Sequence, residues 1–299
     1  MLRQFGRKPA ITAILAIALL ASGCSSFGKK KTPTLTYQER PVELLYSTGA
    51  AFLDAGGYPQ AVLYFQEVER QHPYSEWARR AILMTAFAHY RNGNYNEAIA
   101  DTERYTQLFP GNPAAPYAYY LRAVCYFDQI VDVNRDQGTT EQALTNLRDV
   151  IQRYPRTDYA ADARLKIDMV NDQLAGKEMS VGRYYLREGA TLAAINRFKT
   201  VIDKYQTTSH TPEALYRLVE GYTTLGVMEE AKRNAAVLGA NFPGDVWYAD
   251  AYKLLTEEGV QPTVKPAKAP HRRGFWPFGR HGEDGSKLPK GAAKAPPTT

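Results

Sequence analysis

The segment Ser180–Tyr205 reads SVGRYYLREGATLAAINRFKTVIDKY and contains one complete structural unit. Gly182 is followed three residues later by a tyrosine, and Ala194 is followed four residues later by Phe198. Small residues let two antiparallel helices approach closely, while large apolar residues fill the space beside them. Gly189 lies between the two halves, where one helix ends and the chain reverses. The segment therefore predicts a pair of closely packed helices.

Four further copies of this unit occur along the chain, three before the segment and one after it. The recurring alanines are Ala61, Ala98, Ala143, Ala194 and Ala231, the glycines before them are Gly56, Gly93, Gly189 and Gly226, and the prolines after them are Pro73, Pro110, Pro155 and Pro243. One helix pair leaves an apolar face unburied, so repeated pairs stack on one another. The spacing resembles that of the tetratricopeptide repeat. We therefore expect an all-α solenoid of five helix pairs.

The middle of the array contains inserted residues. Successive alanines are 37, 45, 51 and 37 residues apart, whereas the repeat has a period of about 34. In the third copy Tyr126 precedes its alanine by 17 residues, which predicts an eight-residue insertion around Asp132–Gly138. Tyr159–Ala175 is predicted to form an additional helix or an extension of the next one. A short helix over Trp247–Thr256 is expected to cap the end of the array.

Charge is distributed unevenly along the chain. Residues 41–258 contain 22 Lys and Arg against 28 Asp and Glu, whereas residues 259–299 contain 8 against 2. The net charge of +6 therefore comes from the ends and predicts no nucleic-acid-binding face on the folded part. We assign residues 42–155 to repeats 1–3 and residues 156–257 to repeats 4 and 5 with the extra helical segment. Residues 258–299 are expected to be a disordered basic tail.

The N-terminus has the features of a targeting signal. Arg3, Arg7 and Lys8 precede an apolar run at 11–20 that is short for a membrane span. Small residues then lead to Cys24, and this arrangement resembles the bacterial lipobox, in which the cysteine receives a covalent lipid. We predict a lipoprotein signal peptide at 1–23 and a tether at 24–41. An ordinary secretory signal with a chance cysteine is the alternative.

Motifs of catalysis and metal binding are missing from the sequence. It has no phosphate-binding glycine loop, no nucleophile elbow and no paired CxxC, and its histidines lack metal-ligand spacing. The run Asp132–Asp136 begins like a calcium loop, but the glycine and the closing glutamate are out of place. Cys125 is expected to be a buried, inert thiol. We expect no enzyme activity, no metal and no cofactor other than the lipid on Cys24.

The first helices of the pairs should line a groove that binds protein. The repeat spacing places a set of aromatic and basic residues on that side, namely Tyr46, Arg80, Phe87, Tyr90, Arg91, Tyr120 and Phe127. Aromatic rings flanked by arginines suit an extended peptide that has aromatic residues and a terminal carboxylate. The alternative is that some of these rings pack between repeats. If the groove is open, replacing Tyr90 and Phe127 by alanine should weaken peptide capture and leave thermal melting almost unchanged.

The 180–205 segment and the lipobox together resemble the BamD family of lipoproteins from the β-barrel assembly machinery, over roughly residues 24–245. The matching residues are Ser180, Val181, Tyr184, Tyr185, Gly189, Ala190, Ala193, Asn196 and Arg197. The resemblance implies a non-catalytic scaffold that is lipid-anchored at the periplasmic face of the outer membrane. Its C-terminal repeats would hold a BamA-like barrel subunit through Asn196 and an ion pair of Arg197. Its N-terminal repeats would receive unfolded outer membrane proteins, and other lipoproteins of the complex would join it.

Two questions stay open at this level. A lipoprotein with these repeats could instead be a general cell-envelope adaptor for peptidoglycan or division enzymes. The tail also interleaves basic and aromatic residues from Arg272 to Phe278, which would suit anionic lipid headgroups, or it could be a plain solvated tail.

Overall fold

A computed structural model describes residues 38–132, 137–262 and 264–267 of the chain. The predicted signal peptide at 1–23, Cys24, most of the predicted tether at 24–41, most of the calcium-like run at 132–136 and all residues beyond 267 lie outside the described residues. The chain divides into two compact units after Pro41. All regular secondary structure in the described part of the second unit is helical, which confirms the all-α prediction.

Eleven helices follow one another in the described residues. They are α1 (Val42–Asp54), α2 (Tyr58–Gln71), α3 (Glu76–Arg91), α4 (Tyr95–Leu108), α5 (Ala115–Asp128), α6 (Gly138–Arg153), α7 (Asp158–Arg187), α8 (Thr191–Lys204), α9 (Thr211–Thr224), α10 (Met228–Asn241) and α11 (Val246–Glu257). Consecutive helices pack against each other as far as α10, and α11 packs on both α9 and α10. The five predicted pairs and the short terminal helix are thus confirmed.

The two insertions have different structural outcomes. The first lies between the end of α5 at Asp128 and the start of α6 at Gly138, where the sequence predicted it. The second lengthens α7 to 30 residues, so the segment that begins near Tyr159 is an extension of the next helix. The alternative, a separate helix before the next one, does not occur. The helix α7 continues through Gly176, which is buried.

Glycines permit both the reversal of the chain and the close approach of helices. Gly189 follows α7 with φ of 73°, a left-handed conformation that costs glycine little, and the same turn recurs at Gly56, Gly93 and Gly226. Gly182 lies in α7 directly over the ring of Phe198 in α8, and an added Cβ there would overlap that ring. The small residue at this position is therefore needed for the spacing of the pair.

The first helix of a pair starts at the turn that joins it to the preceding pair. The hydroxyl of Ser75 accepts a hydrogen bond from the amide of Ala78 at 3.0 Å, and Thr157 accepts one from Ala160 at 3.2 Å. Such caps satisfy amides that have no partner within the helix. We call the side of the array that carries these turns the inter-repeat rim.

The buried apolar residues form three successive clusters. The first runs from Leu45 to Leu174, the second from Ala175 to Leu218, and the third from Leu215 to Leu255. Because α7 contributes to both the first and the second cluster, this one helix joins repeats 1–3 to the rest of the array. This stacked core is what a solenoid requires, since each pair contacts only its neighbours.

Candidate functional site

The predicted aromatic groove is largely closed. Phe87 and Phe127 are 2% exposed, Tyr120 is 6% exposed and Tyr90 is 7% exposed, and all four belong to the first core cluster. The prediction that these four rings line an open groove is therefore wrong. The alternative, that such rings pack between repeats, holds for them.

The buried tyrosines connect neighbouring repeats through their hydroxyl groups. Tyr90 in α3 donates a hydrogen bond to Asp128 at the end of α5 at 2.8 Å, and Tyr120 in α5 donates one to Asp162 in α7 at 2.6 Å. The extension of α7 also brings the Tyr159 ring to 5.2 Å from that of Tyr120. Burial, followed by the hydrogen bond to Asp162, raises the pKa of Tyr120 well above its ordinary value, so its hydroxyl stays a donor.

A lysine completes the contact between α5 and α7. Lys166 is almost buried, and its ammonium lies 2.7 Å from a carboxylate oxygen of Asp162. The same ammonium lies 5.4 Å from the centre of the Phe127 ring and 5.9 Å from that of Tyr120. The four buried rings of repeats 2 and 3 thus take part in internal aromatic, hydrogen-bonding and ionic contacts.

The accessible part of the predicted groove lies on repeats 1 and 2. Tyr46 is half-buried, and its ring centre lies 4.9 Å from that of Trp77, which is also partly exposed. The guanidinium carbon of Arg80 lies 5.5 Å from the Trp77 ring, and Arg80 pairs with Glu76 at 3.2 Å. Trp77 was missed at the sequence level, although its spacing of three from Arg80 in one helix was available as a signal.

Arg91 presents a second accessible cation on this side. Its guanidinium carbon lies 5.4 Å from the Tyr58 ring and 5.7 Å from the Phe87 ring, and it donates a hydrogen bond to the Tyr58 hydroxyl at 3.0 Å. The side chain is exposed, and among the described residues no carboxylate lies within ion-pair distance of it. Stacking on two rings holds the guanidinium in place without neutralising its charge.

A different surface is formed by α8 and the end of α7. Asn196 and Arg197 are exposed on α8, and Leu192, one turn before Asn196, is 67% exposed. Arg197 lies 3.3 Å from Glu178 in α7, yet 44% of its side chain faces solvent. Tyr184 is half exposed near the end of α7. The 180–205 segment thus presents exposed apolar area and an exposed cation.

A polar cluster joins the first two pairs away from these surfaces. Arg104 in α4 makes a bidentate ion pair with Glu69 in α2 and lies 3.7 Å from Asp101. Burial raises the pKa of Asp101 to about 6 and lowers that of His89, whose Nε2 is 4.0 Å from Asp101. Within the described ranges, no group of three or more His, Cys, Asp or Glu side chains could hold a metal ion.

Two further features concern reactivity and membrane insertion. Cys125 is fully buried, and burial raises the pKa of its thiol far above the ordinary value, as expected for an inert cysteine. None of the helices in the part of the chain that the structure describes is long and apolar enough to cross a membrane.

Comparison with known proteins gives consistent matches over most of the chain. The family model YfiO, described as an outer membrane lipoprotein, matches residues 38–238. The outer membrane protein assembly factor BamD of Caulobacter vibrioides is 66% identical over 274 residues, which cover 91% of this chain and 89% of that protein. BamD of Rickettsia prowazekii is 44% identical, covering 82% and 96%, and BamD of Neisseria meningitidis serogroup A is 33% identical, covering 83% and 96%.

Solved structures of repeat proteins align with lower similarity. The TPR domain of P58(IPK) aligns with 17% identity and a TM-score of 0.37, covering 73% of this chain and 56% of that one. A thermophilic TPR protein of Thermus thermophilus aligns with 22% identity and a TM-score of 0.33, covering 71% and 98%. The repeat arrangement of this chain rests on its own helices and turns, described above.

Proposed function

The chain belongs to the YfiO family of outer membrane lipoproteins, and from this membership we propose that it is a lipid-anchored docking scaffold for outer membrane protein assembly. The relatives named above are outer membrane protein assembly factors, and this family confirms the prediction that the chain is not an enzyme. The observation that carries the proposal is the 66% identity to an outer membrane protein assembly factor across 91% of the chain.

The α8 surface is the proposed docking site for a BamA-like barrel subunit. Arg197 supports this role because its contact with Glu178 fixes the direction of the guanidinium while much of it stays in solvent. Leu192 and Tyr184 add exposed apolar area on the same two helices. Arginine and tyrosine are among the residues that most often carry the binding energy of protein interfaces.

Affinity capture from detergent-solubilised envelopes tests this docking site. We expect the tagged full chain to recover a barrel-forming subunit, and Arg197→Glu to lose it, because the new carboxylate would repel both Glu178 and an acidic partner. Lys199→Glu is the matched control, since Lys199 is an exposed cation two residues along the same helix. Glu178→Gln breaks only the internal pair and should retain most of the capture.

The outcomes of this capture separate the possible functions. Recovery of the barrel subunit by Arg197→Glu at the level of the unaltered chain would refute the assigned contact. Recovery of peptidoglycan or division enzymes alone, without any barrel subunit, would favour the general envelope adaptor over the assembly scaffold.

Repeats 1 and 2 are the proposed receiving site for unfolded barrel proteins. The accessible groups there are Tyr46, Trp77, Arg80 and Arg91. Because Arg91 is exposed and stacked on two rings, it is suited to bind the terminal carboxylate of an extended chain. Tyr46 and Trp77, whose rings contact each other, offer an apolar surface for an aromatic side chain of that peptide.

A peptide titration tests the receiving site. A peptide from the C-terminus of an outer membrane barrel protein should bind the chain, and amidation of its carboxylate should weaken binding several-fold. Arg91→Gln should weaken the free-acid peptide by a similar factor and leave the amidated one unchanged. Arg156→Gln, at an exposed arginine in a later turn, is the control. Equal affinity of Arg91→Gln and the unaltered chain for both peptides would exclude this contact.

The proposed anchor is a lipid on Cys24, with the helical array on the periplasmic side. Mass spectrometry of the mature protein should show residue 24 at the N-terminus with covalently bound acyl chains. Cys24→Ser should shift the protein from the membrane fraction to the soluble fraction. A mature chain that begins elsewhere and carries no acyl group would exclude the anchor.

A further inference from the structure

Three accessible groups of the proposed receiving site lie on one face of α3. Trp77, Arg80 and Arg91 all belong to this helix. Trp77 precedes Arg91 by nearly four helical turns, and Arg80 precedes it by about three. Side chains that are a whole number of turns apart lie on the same face of a helix. We call these three residues, together with Met84 between them, the α3 stripe.

Contacts with the first helix pair border both ends of the stripe. At its start the Trp77 ring contacts Tyr46 of α1, with the ring centres 4.9 Å apart. At its end the Arg91 guanidinium stacks on Tyr58, the first residue of α2, and donates a hydrogen bond to the Tyr58 hydroxyl at 3.0 Å. Each end of the stripe therefore combines an aromatic ring of the first pair with a group on α3.

Between Arg80 and Arg91 the stripe is apolar. Met84 lies there, partly exposed and about one turn after Arg80. His89 is the other partly exposed residue of this stretch, and it faces Asp101 in α4, 4.0 Å from the carboxylate. A methionine side chain is flexible and polarisable, so it adapts to apolar groups of different shape. A bound chain can thus cross the middle of the stripe without burying a charge of α3.

The two arginines of the stripe differ in their charge balance. Arg80 pairs with Glu76 at 3.2 Å, whereas Arg91 has no carboxylate within ion-pair distance across the ranges that the structure describes. A terminal carboxylate is attracted most strongly to a cation that is not already paired. A peptide on the stripe would therefore place its C-terminus at Arg91 and run parallel to α3, with its earlier residues beside Trp77.

The length of the stripe corresponds to a fixed number of peptide residues. At a rise of 1.5 Å per residue, Trp77 lies about 21 Å from Arg91 along the helix axis. An extended chain advances about 3.4 Å per residue, so six residues span about 20 Å. If the last residue is position 0, the side chain level with Trp77 is the one at position −6. Side chains alternate between two faces, so position −6 faces α3 together with position 0, and position −5 faces away.

We propose that the α3 stripe selects extended chains by the distance between a terminal carboxylate and an aromatic side chain six residues before it. The carboxylate binds Arg91, the aromatic ring packs on Trp77 and Tyr46, and an apolar side chain between them lies over Met84. This inference rests on the proposed receiving site and states which unfolded chains that site accepts. Strands of transmembrane barrels alternate apolar and polar side chains, so a terminal barrel strand presents a face of this kind.

Calorimetric titration of the full chain with isomeric peptides tests the spacing. Each peptide has ten residues, all serine or threonine except for one phenylalanine at position −6, −5 or −8. We expect the −6 peptide to bind at least three-fold more tightly than the other two. The ring at −5 points away from α3, and the ring at −8 lies beyond Trp77.

Amidated forms of the same peptides separate the two possible failures. If amidation weakens all three peptides but their affinities are equal, the spacing is refuted while the receiving site stands. If amidation changes no affinity, the carboxylate contact at Arg91 is refuted, and the spacing is refuted with it.

Two tryptophan variants test the aromatic end of the stripe. Trp77→Ala should lower the affinity of the −6 peptide to that of the −5 peptide and leave the −5 peptide unchanged. Trp247→Ala is the matched control, because Trp247 is also partly exposed and lies 5.3 Å from the Tyr216 ring and 5.4 Å from the Arg217 guanidinium carbon. It should keep the full preference. A preference that survives Trp77→Ala, or one that Trp247→Ala removes, would overturn the proposal.

Discussion

Replacing Phe127 by alanine tests whether the predicted groove positions belong to the core. The ring is 2% exposed, lies in the first core cluster and contacts the ammonium of Lys166. Truncation of a buried phenylalanine removes its transfer free energy and leaves a cavity, which together cost about 3–5 kcal/mol. For a domain of this size each kcal/mol lowers the melting temperature by about 2–4 °C. We expect a decrease of roughly 6–20 °C.

Thermal and urea unfolding, both followed by circular dichroism at 222 nm, measure the melting temperature and the free energy of unfolding. Tyr74→Ala is the matched control, because the Tyr74 ring is 99% exposed in a turn. That substitution should change the free energy of unfolding by less than about 0.5 kcal/mol. If the free energy of unfolding of Phe127→Ala were also within about 1 kcal/mol of that of the unaltered chain, the ring would not be a core residue. The prediction of an open groove would then be correct. If folded Phe127→Ala lost peptide binding, this would also indicate that the ring lies in an open groove.

Three further predictions concern packing, protonation and thiol chemistry. Gly182→Ala should destabilise the chain by about 1–3 kcal/mol in urea titrations, because the methyl group overlaps Phe198, while Gly111→Ala, with open space around it, should be nearly neutral. The pKa of Asp101 is raised by burial from 3.8 to about 6, so the folded state binds this proton more tightly and loses stability as pH rises from 4 to 7. Asp101→Asn should remove up to about 3 kcal/mol of that dependence, and parallel curves for the two proteins would contradict the assignment. Cys125 should react with Ellman's reagent only after denaturation, and rapid reaction of the native chain would contradict its burial.

The repeated positions were predictable because each one has a local physical cause. Gly189 occupies a left-handed turn that other residues enter only with strain, so glycine marks the end of a first helix. Gly182 marks the closest approach of two helices. The residue before each inter-repeat proline leaves the helical conformation, as Phe109 does before Pro110 with φ of −133° and ψ of 55°. These signals fixed the number of pairs and most of their ends.

The closed groove and the long helix depend on contacts between distant parts of the chain. The spacing of the repeat placed Tyr120 on the correct face, but the covering residues Tyr159 and Asp162 come from the extension of α7. Glycine inside a helix costs about 1 kcal/mol relative to alanine, so Gly176 on its own favours a break in the helix. Burial of Leu174 and Ala175 beside it outweighs that preference. Neither outcome follows from the local sequence.

The sequence patterns also did not predict the contacts of residues 260–262 and 264–267. Residues after 258 were expected to be disordered, yet Val260 packs against the third core cluster and Ala267 bonds to Pro243. The expectation is therefore wrong for the described residues between 258 and 267. Low hydrophobicity of a segment does not exclude backbone hydrogen bonds to a neighbouring turn.

Depletion of the chain in its native cell measures its role in outer membrane protein assembly. Newly made outer membrane β-barrel proteins are followed by pulse labelling, and their folded fraction is read from the heat-dependent shift on gels. We expect the folded fraction to fall within a few generations, and a plasmid copy of the full chain, but not of Arg197→Glu, to restore it. Unchanged barrel folding in depleted cells would contradict the assignment of this chain as an assembly scaffold.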